Sequence, residues 1–333
     1  MQRKSMIWTI IFIIVLVAFT VYVIADTFLI SRVYTVVSTD ESTSILSTED
    51  TTEDVSAIEE EITGEENNTT GEDTDAQETT TAEAILTSSD PVVTDNSYTD
   101  SNIQITITEY EEYDTSIYVA DIVLSSADYL QTAFAENSYG KNIKEKTSTI
   151  AENVDAILAI NGDYYGSQES GYVIRGGTLY RDTSADREDL AILSDGSFTI
   201  ISESETSAED LLSSGAQEVF SFGPALLKDG EISVTEDEEV GKAKASNPRT
   251  AIGIVDSLHY LFVVSDGRTT ESEGLSLYEL AEFMQGLDCE IAYNLDGGGS
   301  STMVFMDEVI NNPTSDGDKI EERRVSDIVY IGY

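Results

Sequence analysis

The stretch from Asn247 to Arg268 reads NPRTAIGIVDSLHYLFVVSDGR. It holds two strand-like runs, 249–256 and 259–265, with room for a turn and no helix between them. The run around His259, LHYLFVV, alternates as a strand does. Arg249 opens the first run, and Asp266 and Arg268 close the second.

The same reading extends in both directions. IQITITEY (103–110) and SIYVADIVL (116–124) alternate between apolar and polar residues, which predicts two more strands. AILAING (156–162) and EIAYNLD (290–296) are short apolar runs ending in turn residues. Further strands are expected at 171–175, 190–194, 197–202 and 217–222, and in STMVFM and VSDIVYIGY near the C-terminus. Helices are expected at 128–140, 143–153 and 275–287. The last is the clearest, with Leu277, Leu280, Ala281 and Met284 at helical spacing. Strands outnumber helices and do not alternate strictly with them. The expected fold is therefore α+β, with mixed, mainly antiparallel strands and a few packed helices over residues 98–333.

Two other regions precede it. Met6 to Ala25 is an uncharged apolar run of about 20 residues, the length of a membrane-spanning helix. Arg3 and Lys4 stand before it, so residues 1–30 are expected to anchor the chain in a cell membrane by a single pass, with the remainder extracellular. A cleaved signal peptide, with Val23-Ile24-Ala25 at the cleavage site, is the alternative. Residues 31–97 are rich in Ser, Thr, Glu and Asp, and no Lys or Arg occurs from Val33 to Gly140. Such a composition buries too little apolar surface to offset ordering entropy, so a disordered acidic linker is expected. It would span roughly 40–45 Å as a neutral coil and act as a spacer.

Composition excludes several function classes. The chain has 64 acidic and 17 basic residues, a net charge of −47. Nucleic acid and anionic lipid surfaces both require clustered Lys and Arg, and both are excluded as partners. With one cysteine, Cys289, no internal disulfide forms, and with one histidine a His-rich zinc site has no ligands. His259, inside a strand-like run, reads as structural.

Four segments place polar residues and glycines after buried strands, where sites are usually built. Asn161-Gly162-Asp163-Tyr164 suits a sugar-binding wall or an ordinary turn. Arg249 suits surface ion pairing and the pair Asp266 and Arg268 a β-turn, or the two arginines together suit a clamp for an anion, since a guanidinium grips phosphate through parallel hydrogen bonds. Asp296-Gly297-Gly298-Gly299-Ser300 lets the backbone approach a ligand closely, and its amides are expected to form an anion-binding nest. The run lacks the Lys of a P-loop.

Together, AINGDYYG, SFGPALLKDGE, NPRTAIGI, VVSDGR, GLSLYELAEFMQGLDCEIAYNLDGGGSSTMVF and NNPTSDGDKIEERRVSDI resemble the phosphodiester glycosidase family in order and spacing. The resemblance spans residues 98–333. It implies hydrolysis of a sugar 1-phosphodiester, of the N-acetylglucosamine-1-phosphodiester kind, in a phosphorylated glycan or polysaccharide. The chain lacks a disulfide-rich extension, which favours a bacterial surface glycan such as an exopolysaccharide or cell-wall polymer. The resemblance places Asn161, Asp163, Arg249, Asp266, Arg268, Asp296, Gly297, Gly298, Gly299, Ser300 and Arg323 in the pocket. Asp296 is the first candidate for activating water or attacking C1, followed by Asp163 and Asp266. Tyr164 is a candidate sugar contact. No cofactor is implied, although a divalent cation near the Asp residues stays open. The rival readings are a non-catalytic glycan-binding module and a phosphodiesterase that breaks the P–O bond.

Overall fold

The computed structural model describes residues 2–34, 91–237, 246–315 and 319–333, with side chains described from residue 11 onward except 27 and 28. Residues 35–90, on which most of the expected linker falls, and Asp316-Gly317-Asp318 lie outside the described residues. The linker's edges are not coil. Val92–Thr94 and Ser97–Thr99 pair as a hairpin that straddles the expected domain start, and Arg32–Val33 pairs with Gly140–Lys141.

Among the described residues, strands assemble into three larger sheets, and every pair is antiparallel. The largest has nine strands in the order Glu231–Ile232, Ala225–Lys228, Ile291–Asn294, Arg249–Asp256, His259–Ser265, Thr115–Leu124, Ile103–Glu112, Ser97–Thr99 and Val92–Thr94. A C-terminal sheet orders Glu308–Val309, Met303–Phe305, Leu158–Asn161, Asp327–Ile331 and Leu130–Phe134. A middle sheet orders Thr178–Arg181, Val173–Arg175, Ala216–Phe220, Glu188–Leu193 and Phe198–Ser202. The α+β expectation holds in its strand-rich, antiparallel form.

The continuous apolar runs follow from burial on both faces. Along Arg249–Asp256 and His259–Ser265, Ile252, Phe262 and Val264 point into a core shared with Leu158, Ile160, Leu190 and Phe220 of the other two sheets. Their neighbours Ala251, Leu261 and Val263 point the opposite way, onto the helix Leu277–Gly286. That helix starts where expected because Ser276 caps it. The Ser276 hydroxyl accepts from the Glu279 amide, and the Glu279 carboxylate accepts from the Ser276 amide. Truncating a fully buried ring such as Phe262 is expected to cost about 3–5 kcal/mol.

Two helix expectations are corrected. Residues 128–140 contain the strand Leu130–Phe134, paired along its length with Asp327–Ile331. The local Ala, Leu and Gln favour a helix, but pairing with the C-terminal strand overrides that preference. In 143–153 the helix is limited to Thr147–Asn153, which packs Ile150 and Ala151 against the C-terminal sheet.

The N-terminal run is helical from Gln2 to Phe28. Ile11 to Ile24 contribute exposed apolar side chains. Among the described residues no helix is long and apolar enough to cross a membrane, so the spanning expectation finds no support there.

Candidate active site

Antiparallel pairing sets Arg249 opposite Ser265. The start of one strand and the end of the next therefore share an edge of the large sheet, and the loop after Ile291–Asn294 lies beside them. A cleft of about 170 Å³ opens there, lined by Phe222, Asn247, Arg249, Arg268, Leu295, Asp296, Gly297, Gly298 and Arg323. Two arginines distant in sequence from Asp296 thus converge with it.

Asp296 is held from several sides. Its amide bonds to the Gly162 carbonyl, and its own carbonyl accepts from Asn161 Nδ2 at 2.6 Å. Its Oδ2 accepts from Ser300 Oγ at 2.6 Å and from Arg323 Nη2 at 3.1 Å. Burial raises the Asp296 carboxyl above its usual range, and the opposing pull of Arg323 and Ser300 does not cancel it. A base with a raised pKa is better matched to proton transfer near neutral pH.

The arginines are fixed by polar contacts. Arg249 is almost wholly buried and donates from Nε to the Leu275 carbonyl at 2.9 Å. Arg268 has φ 64° and donates from Nη2 to Asn247 Oδ1 at 3.1 Å and from Nη1 to the Ser315 carbonyl at 3.3 Å. Arg323 donates from Nε to Ser300 Oγ and from Nη2 to the Gly297 carbonyl.

The glycines serve close approach. Gly298 has φ 64°, and a Cβ there would stand 2.7 Å from Arg268 Nη2. A Cβ on Gly297 would meet the Pro248 carbonyl at 2.8 Å. Two amides of the expected nest are engaged within the chain: Gly298 N–H bonds to the Pro248 carbonyl, and Ser300 N–H bonds to the Gly297 carbonyl. Arg249, Arg268 and Arg323 bring three guanidinium groups to the cleft as charged donors to an anion.

Other expected site residues have different positions. Asp163 is buried outside the cleft lining. Its Oδ1 accepts from Tyr165 N–H at 2.9 Å, and its Oδ2 from Ser221 N–H and Arg175 Nη2, both at 3.2 Å. Arg175 also binds Asp327 Oδ2 at 2.7 Å and lies over the Phe220 ring. Burial holds Asp327 well above the ordinary carboxylate range, and Glu218 beside Arg175 is pushed up to about 7 by burial. Asp266 is likewise consumed by structure: it accepts from Asn311 Nδ2, from the Asn312 amide and from Asn312 Nδ2. Both carboxylates follow buried strands, but their oxygens are turned away from the cleft, to Arg175 and the Tyr165 and Ser221 amides for Asp163 and to Asn311 and Asn312 for Asp266.

Asn161 braces the cleft from behind. Its Oδ1 accepts from Thr250 Oγ1 and the Thr302 amide, and its Nδ2 carries the Asp296 carbonyl. Tyr164 is exposed beneath Lys144 Nζ, and Gly299 packs on Ser315; neither lines the cleft. Ser300 is buried and reaches the cleft through Asp296. Sequence reasoning did not single out Phe222 and Leu295. Phe222 precedes a Gly-Pro turn after a strand, which is the one local signal of its position. Among the described residues no group of three or more His, Cys, Asp or Glu converges as a metal site.

Residues 155–332 match the family described as phosphodiester glycosidase. The SPbeta prophage-derived uncharacterized protein YomE of Bacillus subtilis (strain 168) is 30% identical over 201 residues, 59% of this chain and 31% of YomE. N-acetylglucosamine-1-phosphodiester alpha-N-acetylglucosaminidase of Mus musculus is 33% identical over 101 residues, 27% of this chain and 19% of that protein. The matches therefore span about a third or less of these curated relatives. The catalytic domain of the zebrafish enzyme of the same name superimposes with a TM-score of 0.56 at 22% identity, covering 69% of this chain and 83% of that one. A hypothetical protein from Synechocystis gives 0.55 at 14% identity, covering 70% and 62%. At these identities the two structures establish the shared fold. With more than half its length matched to the family, the chain belongs to the phosphodiester glycosidases.

Proposed function

We propose that the chain hydrolyses a sugar 1-phosphodiester, of the N-acetylglucosamine-1-phosphodiester kind, by breaking the bond between C1 and the phosphate oxygen. The observation that carries this reading is the meeting of Arg249, Arg268, Arg323 and Asp296 in one cleft.

The leaving group is a phosphate monoester, already a weak base with a second pKa near 6. Protonating it matters less than stabilising the charge that grows on it. Fixed guanidinium groups do this without reorganising as the bond breaks. Asp296 takes a proton from the attacking water, the water oxygen bonds to C1, and the C1–O electron pair leaves on the phosphate. Products are the free sugar and the phosphomonoester. Three guanidinium groups supply positive charge at the leaving phosphate, so the reaction is proposed to need no divalent cation. Dialysis against a chelator is expected to leave the rate unchanged.

The test is an assay of a synthetic N-acetylglucosamine-1-phosphodiester with the wild type, Asp296→Asn and Arg249→Ala. Unchanged rates in both variants overturn the assignment. Binding without turnover by the wild type points to a glycan-binding module. In labelled water the label is expected on the sugar; label on phosphate means a P–O phosphodiesterase.

The proposed setting is a cell surface, with a phosphorylated polysaccharide as substrate and the N-terminal helix as tether. The exposed apolar residues from Ile11 to Ile24 and the preceding Arg3 and Lys4 support it. Protease digestion of intact cells carrying a C-terminally tagged chain checks it; full protection of the tag removes the surface location.

A further inference from the structure

The cleft contains one aromatic side chain among its charged residues. Phe222 is half-buried, packed on one side against the main core, and it lines the cleft. Leu295, the other large apolar lining residue, is fully buried and offers little surface. Phe222 reaches the cleft from the link after Ala216–Phe220 in the middle sheet, whereas Arg249 and Arg268 come from the hairpin of the large sheet and Arg323 from the C-terminal loop.

Its backbone is fixed on both sides. The Phe222 amide donates to Tyr293 Oη at 2.9 Å, and Tyr293 Oη donates to the Glu188 carbonyl at 2.9 Å. Asn294 Nδ2 donates to the Gly223 carbonyl at 2.8 Å. Tyr293 and Asn294 belong to the strand that leads into Asp296, so one strand positions both the aromatic residue and the carboxylate.

We infer that Phe222 is the platform for the sugar ring, making this a site for a pyranose with an uninterrupted C–H face. The inference rests on the sugar-phosphodiester reading of the cleft. Guanidinium groups match the phosphate but have no affinity for the C–H face of a pyranose. An aromatic face supplies that contact, because ring C–H groups are apolar and weakly positive while the aromatic face is negative. Stacking on Phe222 also limits how the ring can turn, which presents C1 to Asp296. The contact persists from ground state to transition state, so it affects substrate binding more than the chemical step.

The test compares Phe222→Ala and Phe222→Tyr with the wild type on N-acetylglucosamine 1-(methyl phosphate). Methyl phosphate, as a competitive ligand, reads the cationic part of the cleft separately. Phe222→Ala is expected to raise KM about tenfold or more, with kcat changed less than threefold, as loss of one aromatic stacking contact implies. Methyl phosphate inhibition stays within about twofold of wild type, and Phe222→Tyr restores KM. An unchanged KM in Phe222→Ala overturns the inference. So does a parallel loss of methyl phosphate affinity, which would mean that the residue only props the cleft open. If the wild type releases no sugar, calorimetry with N-acetylglucosamine 1-phosphate separates the two ideas. Binding that depends on Phe222 then sinks hydrolysis and keeps the platform, and no binding sinks both.

Discussion

Ser300 Oγ stands 2.6 Å from Asp296 Oδ2. Arg323 Nε, which can only donate, also reaches this hydroxyl, at 2.9 Å. The Ser300 proton is therefore directed at the carboxylate, and the pair favours ionised Asp296 against the effect of burial.

Ser300→Ala removes that donor. The acidic limb of the pH–rate profile is expected to move to higher pH, because a hydrogen bond to the charged form holds a carboxyl pKa down. On the acidic limb kcat/KM falls about tenfold or more, in line with about 1.5–3 kcal/mol for a hydrogen bond to a charged group. A profile that keeps its limb in place contradicts the assigned proton direction.

Asp296→Asn and Asp163→Asn are expected to fail differently. The first keeps the size of the side chain and lowers kcat about a thousandfold with little change in Tm. The second unbalances the buried contact with Arg175 and costs about 3–5 kcal/mol of stability, the range for a broken buried pair. Thermal melts beside single-turnover rates distinguish them; equal melting with equal loss of rate would place both carboxylates in one role.

Glu218 makes stability depend on pH. Its pKa is pushed up to about 7 from 4.5, so the folded state binds its proton more tightly than the unfolded chain does. Its contribution is therefore complete below about pH 4.5 and is lost as pH rises through about 7, to the extent of about 3 kcal/mol. Glu218→Gln is expected to flatten this part of the curve and to raise Tm at pH 8. Urea unfolding at pH 5, 6.5 and 8 measures it, and parallel curves for both proteins refute it.

Salt should speed the reaction. The chain carries a net charge of −47 and the proposed substrate is an anion, so long-range repulsion opposes encounter. Raising ionic strength from about 0.01 to 0.15 M shortens the Debye length from about 30 to 8 Å. kcat/KM is expected to rise several-fold in stopped-flow or steady-state assays; a fall would show that the local field of the arginines governs capture.

Much of this architecture was legible because the sheets follow simple periodicities. Arg249–Asp256, His259–Ser265 and Leu277–Gly286 appear nearly where alternation, apolar runs and capping residues place them. Leu130–Phe134 was not legible, because its pairing with residues almost 200 positions away decides its conformation. The same distinction runs through the cleft. Arg249, Arg268 and Asp296 are readable as polar residues at strand ends, and they do meet. Asp163 and Asp266 carry the same local signature, but their oxygens bind Arg175 and the Asn311-Asn312 turn. Which way a carboxylate turns at the end of a strand depends on loops contributed from elsewhere in the chain.

The opposition of Arg249 and Ser265 has one further consequence. A slip of Arg249–Asp256 by one residue against His259–Ser265 would turn Arg249 to the other face of the sheet, and Ile252 would leave the core with it. The cationic wall is thus locked to the same alignment that fills the interior. A misthreaded hairpin could not retain a sound interior while losing the guanidinium, and a designer could not slide one without dismantling the other.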